Sequence, residues 1–141
     1  MKKILLDTDV ILDFFFDRKP FSDNAAMVLS LCESKQIVGY ITSVIISNVY
    51  YLLRQTSTHE KVIEKLNQLI KITEVLTTDK NAIKQALNSN FRDFEDALQN
   101  YSAVLNGEVD LIITRNIKDF KNSELGVMTP ESYIKTINAS L

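Results

Sequence analysis

The apolar residues fall into short blocks with two different periodicities. Ile4, Leu5 and Leu6 in KILL make a brief unbroken apolar run, as in a strand covered on both faces. DVILDFFFD then takes helical spacing, with Ile11, Leu12 and Phe15 on one side, and KPF at 19–21 breaks it. Ser22 is placed to cap a helix running to about Cys32, with Ala25, Val28, Leu29 and Cys32 at helical spacing. IVGYIT at 37–42 predicts a second strand, and Ser43 begins a helix through Arg54. Ser57 and Glu60 read as a capping box before KVIEKLNQLIK, whose apolar face is Val62, Ile63, Leu66, Leu69 and Ile70. ITEVL at 72–76 is a third strand, and Asp79 can cap a helix to about Asn88. Asp93 can cap the next helix, with Phe94, Ala97, Leu98, Tyr101, Val104 and Leu105 on one face and Gly107 as its stop. VDLIIT at 109–114 and GVM at 126–128 give two more strands. Thr129-Pro130 opens a terminal helix with proline at its first position, and the last few residues are expected to fray.

Strands alternating with helices predict an α/β fold, a parallel sheet sheathed by helices on both faces. No repeat or linker divides residues 1–141, so one domain is expected. In such sheets ligands bind beyond the carboxyl ends of the strands, where strand order reverses. The places to look are Asp7, Ser43, Thr77 to Asp79, and Thr114 to Asn116.

Composition narrows the picture slightly. Hydrophobic residues are 45% and charged residues 24% of 141, the balance of an ordinary globular chain. A net charge of −2 supplies no global field for nucleic acid, so any such contact needs a local patch. The lone cysteine, Cys32, has no internal disulfide partner, which fits a reducing cytoplasm, and its place on an apolar helix face predicts an inert buried thiol. Lys2 and Lys3 before ILL imitate a signal peptide, but Asp7, Asp9 and Asp13 interrupt the apolar region and no small-residue cleavage site follows. No apolar run approaches the length of a membrane span.

The chemistry centres on ILLDTDVILD. A carboxylate directly after a buried strand needs a partner, and three roles are open for Asp7. As a nucleophile, Asp7 with Asp9 as acid/base would match the opening of haloacid-dehalogenase-like phosphatases. The fourth strand, however, ends in ITRN without the acidic pair that chemistry needs. As a helix cap, Asp7, Thr8 or Asp9 would accept backbone N–H groups; this reading suits Asp9, and leaves Asp13 facing solvent. As a ligand for Mg²⁺ or Mn²⁺, Asp7 needs oxygen donors from elsewhere. Asp93 and Asp96 at a helix start, and Asn116 and Asp119 after the fourth strand, are available. Each also has an ordinary explanation as cap or turn residue.

Taken together, LLDTDVILDFF, SVIISNVYYLL, DFEDALQNYSAVLNGEVDLIITRNIKDF and VMTPESYI resemble the PIN domain, a family of metal-dependent ribonucleases that includes VapC-type toxins. The resemblance spans essentially the whole chain. It implies a three-layer α/β/α sandwich with strand order 3-2-1-4-5, which sets the first and fourth strands side by side. It also implies an acidic site holding one or two Mg²⁺ or Mn²⁺ ions. Carried over by position, the acids are Asp7 and Asp96, while Asn48 and Asn116 occupy two positions that are usually acidic. Asp119 could substitute for one of them, Asp93 lies close by, and Thr8 and Thr114 would be hydroxyl neighbours. Two amides in place of carboxylates remove about two charges from the site, so weaker metal binding is implied.

The expected activity is metal-assisted hydrolysis of RNA phosphodiester bonds, by the toxin of a toxin–antitoxin pair. The alternative is a PIN-fold module that binds RNA or protein and cuts nothing. Arg115 and Lys118 are the expected substrate-binding cations, with Lys121, Arg18, Arg54 and Arg92 as further candidates. His59 reads as a surface residue, and Phe14, Phe15, Phe16, Tyr50 and Tyr51 as core plus a homodimer surface. The family further implies an antitoxin peptide as partner.

Overall fold

The computed structural model describes residues 2–139. Its elements follow the predicted alternation: β1 (Lys3–Leu6), α1 (Thr8–Phe15), α2 (Ser22–Glu33), β2 (Val38–Thr42), α3 (Ser43–Arg54), α4 (His59–Ile72) and β3 (Glu74–Leu76) come first. After them come α5 (Lys80–Leu87), α6 (Phe94–Asn106), β4 (Leu111–Ile113), a 3₁₀ turn (Ile117–Phe120), β5 (Gly126–Met128) and α7 (Pro130–Ala139). All five strands are parallel, in the order β3-β2-β1-β4-β5. The sheet therefore reverses direction of growth between β1 and β4, which pair in the register Ile4↔Leu111, Leu5↔Ile112 and Leu6↔Ile113. This is the switch point at which a parallel sheet leaves a crevice beyond its strand ends.

The apolar strands explain the layering. Ile4, Leu5, Leu6, Ile112 and Ile113 are fully buried, so both sheet faces must be covered. On one side α1 packs on α2 and α3, with α4 against α3 and α7 against α2; on the other, α5 packs on α6. Between them lies one core that gathers Val10, Ile11, Val28, Ile45, Val49 and Leu53 against the sheet. Cys32 is buried on the inner face of α2 as expected, and it sets the residue opposite. A Cβ at Gly39 would sit 2.6 Å from Cys32 Sγ, so only glycine lets β2 approach α2 this closely.

Helix ends differ in detail from the sequence reading. Thr58, not Ser57, caps α4, accepting the Lys61 N–H at 3.3 Å. Phe21 precedes α2 without a side-chain cap, and Ser22 is already inside the helix. Thr42 at the end of β2 caps α3 through the Ile45 N–H. Asp79, Asp93 and Gly107 do what their positions predicted; Gly107 closes α6 at φ 80°, a left-handed conformation natural to glycine. Thr129 accepts the Ser132 N–H, completing the proline start of α7. The fraying expected at the chain end falls partly on residues 140–141, outside the described residues. Among the described residues no helix is long and apolar enough to cross a membrane.

Candidate active site

Beyond the carboxyl ends of β1 and β4 lies an open groove of about 510 Å³. Asp7, Asp9, Asp93, Glu95, Asp96 and Asp119 line it, with Thr8, Asn48, Gln99 and Asn116. The chain path explains the convergence: β1 delivers Asp7, the first turn of α1 delivers Asp9, the start of α6 delivers Asp93 to Asp96, and the turn after β4 delivers Asn116 and Asp119.

Asp7 is held from two sides. Its backbone N–H continues the sheet by donating to Ile113 O at 3.0 Å. Its carboxylate accepts the Thr8 N–H at 2.8 Å, the cap of α1, and the Thr114 hydroxyl at 2.8 Å from β4's end. Thr114 is fully buried, so its hydroxyl acts as a fixed strut between the two central strands. Burial pushes the Asp7 carboxyl up from its ordinary 3.8; its bonds to Thr114, Thr8 and Gln99 pull it back, and Asp119 raises it again. Asp96 is pushed up to about 7, by burial first and then by Asp7, Asp93, Asp119 and Glu95. These are the marks of carboxylates facing one another with no counter-charge between them.

Asp9 is not a cap. Its carboxylate accepts the Arg115 N–H at 3.1 Å and the Asn116 side-chain N–H at 3.2 Å, fastening the TRN turn to α1. Burial and the neighbouring Asp7 push its carboxyl up to about 7. The amide of Asn116 is thus turned onto Asp9, so the position that lacks a carboxylate sits against one. A similar pairing occurs across the groove, where the Asn48 side-chain N–H donates to Glu95 Oε1. Glu95 was overlooked in the sequence because Asp93 and Asp96 already accounted for the helix start; its place inside DFEDALQ was the only signal. Gln99 was overlooked as well. It lies one turn after Asp96 on the same helix, 2% exposed, and its Oε1 is buried without a partner among the described residues.

Asp13 overturns its reading as a solvent-facing residue. It is 1% exposed, and Arg115 grips it in a fork, Nε to Oδ2 at 2.7 Å and Nη2 to Oδ1 at 3.0 Å. Arg18 adds a looser contact at 3.5 Å. The Arg115 guanidinium also lies 4.2 Å from the Phe21 ring centre. The expected substrate-binding role of Arg115 therefore meets a side chain already committed to locking the TRN turn onto α1. Lys118 is exposed beside Asp119, as a substrate-binding cation requires. Arg54 turns away from the acids and donates to Ser57 O. His59 is exposed and bonded to the Tyr50 hydroxyl at 2.9 Å, remote from the acids. Phe15, Phe16 and Tyr50 pack on the core, while Phe14 and Tyr51 are exposed.

The donor chemistry suits a hard divalent cation: Asp7 lies in the field of Asp119 and Asp96 in the field of both, and two buried oxygens at the groove, Thr8 Oγ1 and Gln99 Oε1, lack partners among the described residues. Among the described residues no group of three or more His, Cys, Asp or Glu side chains is placed to hold a metal ion by itself, so a bound ion would draw further oxygens from amides, hydroxyls or water. An open site with few carboxylates is the usual form for Mg²⁺, which keeps several waters and shares substrate phosphates.

A five-stranded parallel sheet in this order, with an acid-lined groove at its switch point, defines an α/β/α class. The chain belongs to the PIN domain family, whose model matches residues 3–118. No curated protein matches it in sequence. Among solved structures it is similar to VapBC2 from Rickettsia felis bound to a promoter DNA fragment (16% identity, TM-score 0.64, covering 90% of this chain and 98% of that one). A toxin–antitoxin complex from Klebsiella pneumoniae is similar at 20% identity and TM-score 0.67, covering 90% and 97%. The sarcin–ricin loop cleaving toxin VapC20 of Mycobacterium tuberculosis is similar at 16% identity and TM-score 0.59, covering 77% and 86%. These likenesses show the shared fold.

Proposed function

We propose that the chain is a metal-dependent endoribonuclease and the toxin of a toxin–antitoxin pair. The observation that carries this reading is the gathering of Asp7, Asp96 and Asp119 around one groove at the switch point, where Asp119 raises the proton affinity of Asp7 and both raise that of Asp96. Asp7 and Asp96 would hold a Mg²⁺ or Mn²⁺ ion, with Asp119 and the side-chain oxygen of Asn116 as further donors. Such a cation, when bound, supplies the positive charge that polarises a phosphodiester for attack by water. This chain's residues do the rest. Thr114 and Thr8 fix the direction of the Asp7 carboxylate. Asp9 holds the TRN turn so that Asn116 and Asp119 stay at the groove. Asn48 orients Glu95, and Asp93 fixes the start of α6. Lys118 meets the substrate's phosphates.

Membership of the PIN family, together with the absence of an acidic pair directly after β4, leaves the phosphatase reading without support. The second reading, a PIN-fold module that binds and does not cut, is favoured by Asn48 and Asn116 alone. For a partner, a cavity of about 610 Å³ between α1, α2 and α4, lined by Phe14, Phe15, Leu29, Leu69 and Ile72, suits an antitoxin peptide. A homodimer and a cytoplasmic location complete the proposal; exposed Tyr51, Leu52, Leu87 and Phe94 supply apolar surface for the former.

Cleavage of RNA with Mn²⁺ tests the reading. Wild type is expected to cut and Asp7→Asn to lose at least about a hundredfold in rate. Cleavage that survives Asp7→Asn sinks the site assignment. An inert wild type, with activity appearing in Asn48→Glu/Asn116→Asp, supports the binding-module reading instead.

A further inference from the structure

Beside the acidic groove lies a smaller cavity of about 330 Å³ lined by Arg92, Lys118 and Lys121. Asp93, Asp96 and Asp119 line both spaces, so the two form one continuous depression with a shared acidic wall. Most other cations near this end of the sheet are occupied: Arg115 and Arg18 hold Asp13, and Lys19 bridges Asp17 and Asp23. Arg92, Lys118 and Lys121 have no ion pair among the described residues, and all three are exposed. Backbone geometry aligns two of them. Lys118 lies in the 3₁₀ turn and Lys121 three residues later at its end, a spacing that eclipses side chains in 3₁₀ geometry. Arg92 arrives from the loop that leads into the Asp93 cap.

Three cations facing three carboxylates make a lobe of about zero net charge. An anion entering it meets attraction and repulsion together. Occupation of the acids by a divalent cation would remove the repulsion and leave a net positive lobe. We infer that the Arg92–Lys118–Lys121 lobe is a subsite for a phosphate of single-stranded RNA next to the one in the acidic groove, and that it takes this phosphate only when a divalent cation occupies the acids. The inference rests on the ribonuclease reading and adds to it. Substrate and metal binding become coupled, and a substrate ending at the scissile phosphate forgoes the lobe's contribution.

Fluorescence anisotropy of a labelled short oligouridylate tests this, with Ca²⁺ or EDTA present and NaCl varied. The wild-type chain is expected to bind more tightly in Ca²⁺ than in EDTA by about fivefold or more, the usual scale of coupling between sites. Lys118→Gln/Lys121→Gln and Arg92→Gln are expected to lose most of that gain. Their slopes of log affinity against log salt should fall by about 0.7 for each phosphate that is no longer neutralised. Lys135→Gln, on the far helix α7 and paired with Glu131, should behave as wild type. Unchanged gain and slope in both lobe variants overturn the subsite while leaving the ribonuclease reading intact. Equal wild-type affinity in Ca²⁺ and EDTA overturns the coupling and with it the proposal. A folded wild type that does not bind the oligonucleotide under any condition overturns the RNA reading itself, a result distinct from the other two.

Discussion

Arg115 offers the sharpest contrast between a structural and a substrate-binding role. Its guanidinium forms two short bonds to Asp13, which is 1% exposed on the buried side of α1. Removing one partner of a buried ion pair leaves an uncompensated charge and costs about 3–5 kcal/mol. Arg18 stands 3.5 Å from the same carboxylate and is partly exposed, so it recovers part of this. A loss of about 3 kcal/mol is therefore expected for Arg115→Ala. At about 3–5 °C per kcal/mol for a chain of 141 residues, Tm should fall by about 10 °C. Arg115→Lys keeps the charge without the fork and should fall about half as far. Asp13→Leu/Arg115→Met removes both charges and should return most of the stability, because an apolar pair of similar size can replace a buried ion pair. Thermal melting by circular dichroism, in EDTA so that metal binding does not contribute, reads all four proteins. If Arg115→Ala melts within about 2 °C of wild type, the pair is not holding the TRN turn and Arg115 is free to meet substrate.

Other expectations follow from the same geometry. Asp96 titrates near 7 in the folded chain against 3.8 unfolded, so the native state binds its proton more tightly. The penalty is absent below pH 3.8, grows as pH rises, and is complete above about 7. Asp96→Asn should therefore raise the free energy of unfolding in EDTA at alkaline pH by about 1–2 kcal/mol, after discounting for solvent screening at a half-buried group, and the gain should vanish near pH 4; a variant equally stable or less stable at alkaline pH, by chemical denaturation, contradicts it. Gly39→Ala should cost about 1–3 kcal/mol by chemical denaturation, since its new methyl meets Cys32 Sγ, and Cys32→Ala in the same chain should recover most of the loss. The Cys32 thiol, pushed up to about 12 by burial, should resist alkylation in the native chain and react once denatured; rapid native labelling refutes that placement.

Much of the fold was legible because the sequence carries it locally. KILL, VGYIT and LII are buried strands by their apolar runs, and Asp79, Asp93, Gly107 and Pro130 mark helix ends by the chemistry of backbone N–H groups and left-handed turns. Asp7 stood out for the same reason, as a carboxylate where a buried strand ends. Asp13 did not, because its partner lies 102 residues away and no local pattern announces it. The same holds for Asp9, whose hydrogen bonds run to Arg115 and Asn116 across the β1–β4 switch. Glu95 and Gln99 were hidden for two reasons: the first sits within a capping sequence, and the second lies on the polar face of α6 that the apolar spacing assigns to solvent, whereas the structure buries Gln99, Asn100, Ser102 and Ala103 and leaves Phe94 and Leu105 exposed. The distinction between Ser57 and Thr58 as cap was a shift of one residue, below the resolution of a pattern.

Asp7 at the end of β1 and Asp96 at the start of α6 are proposed to hold a divalent cation despite Asn48 and Asn116. Titration of Mn²⁺ into the metal-free chain, read by electron paramagnetic resonance or calorimetry, tests it without requiring any RNA. Saturable binding to wild type is expected, weakening by at least about tenfold in Asp7→Asn and in Asp96→Asn. Equal Mn²⁺ binding in all three proteins, or none in the folded wild type, would contradict it.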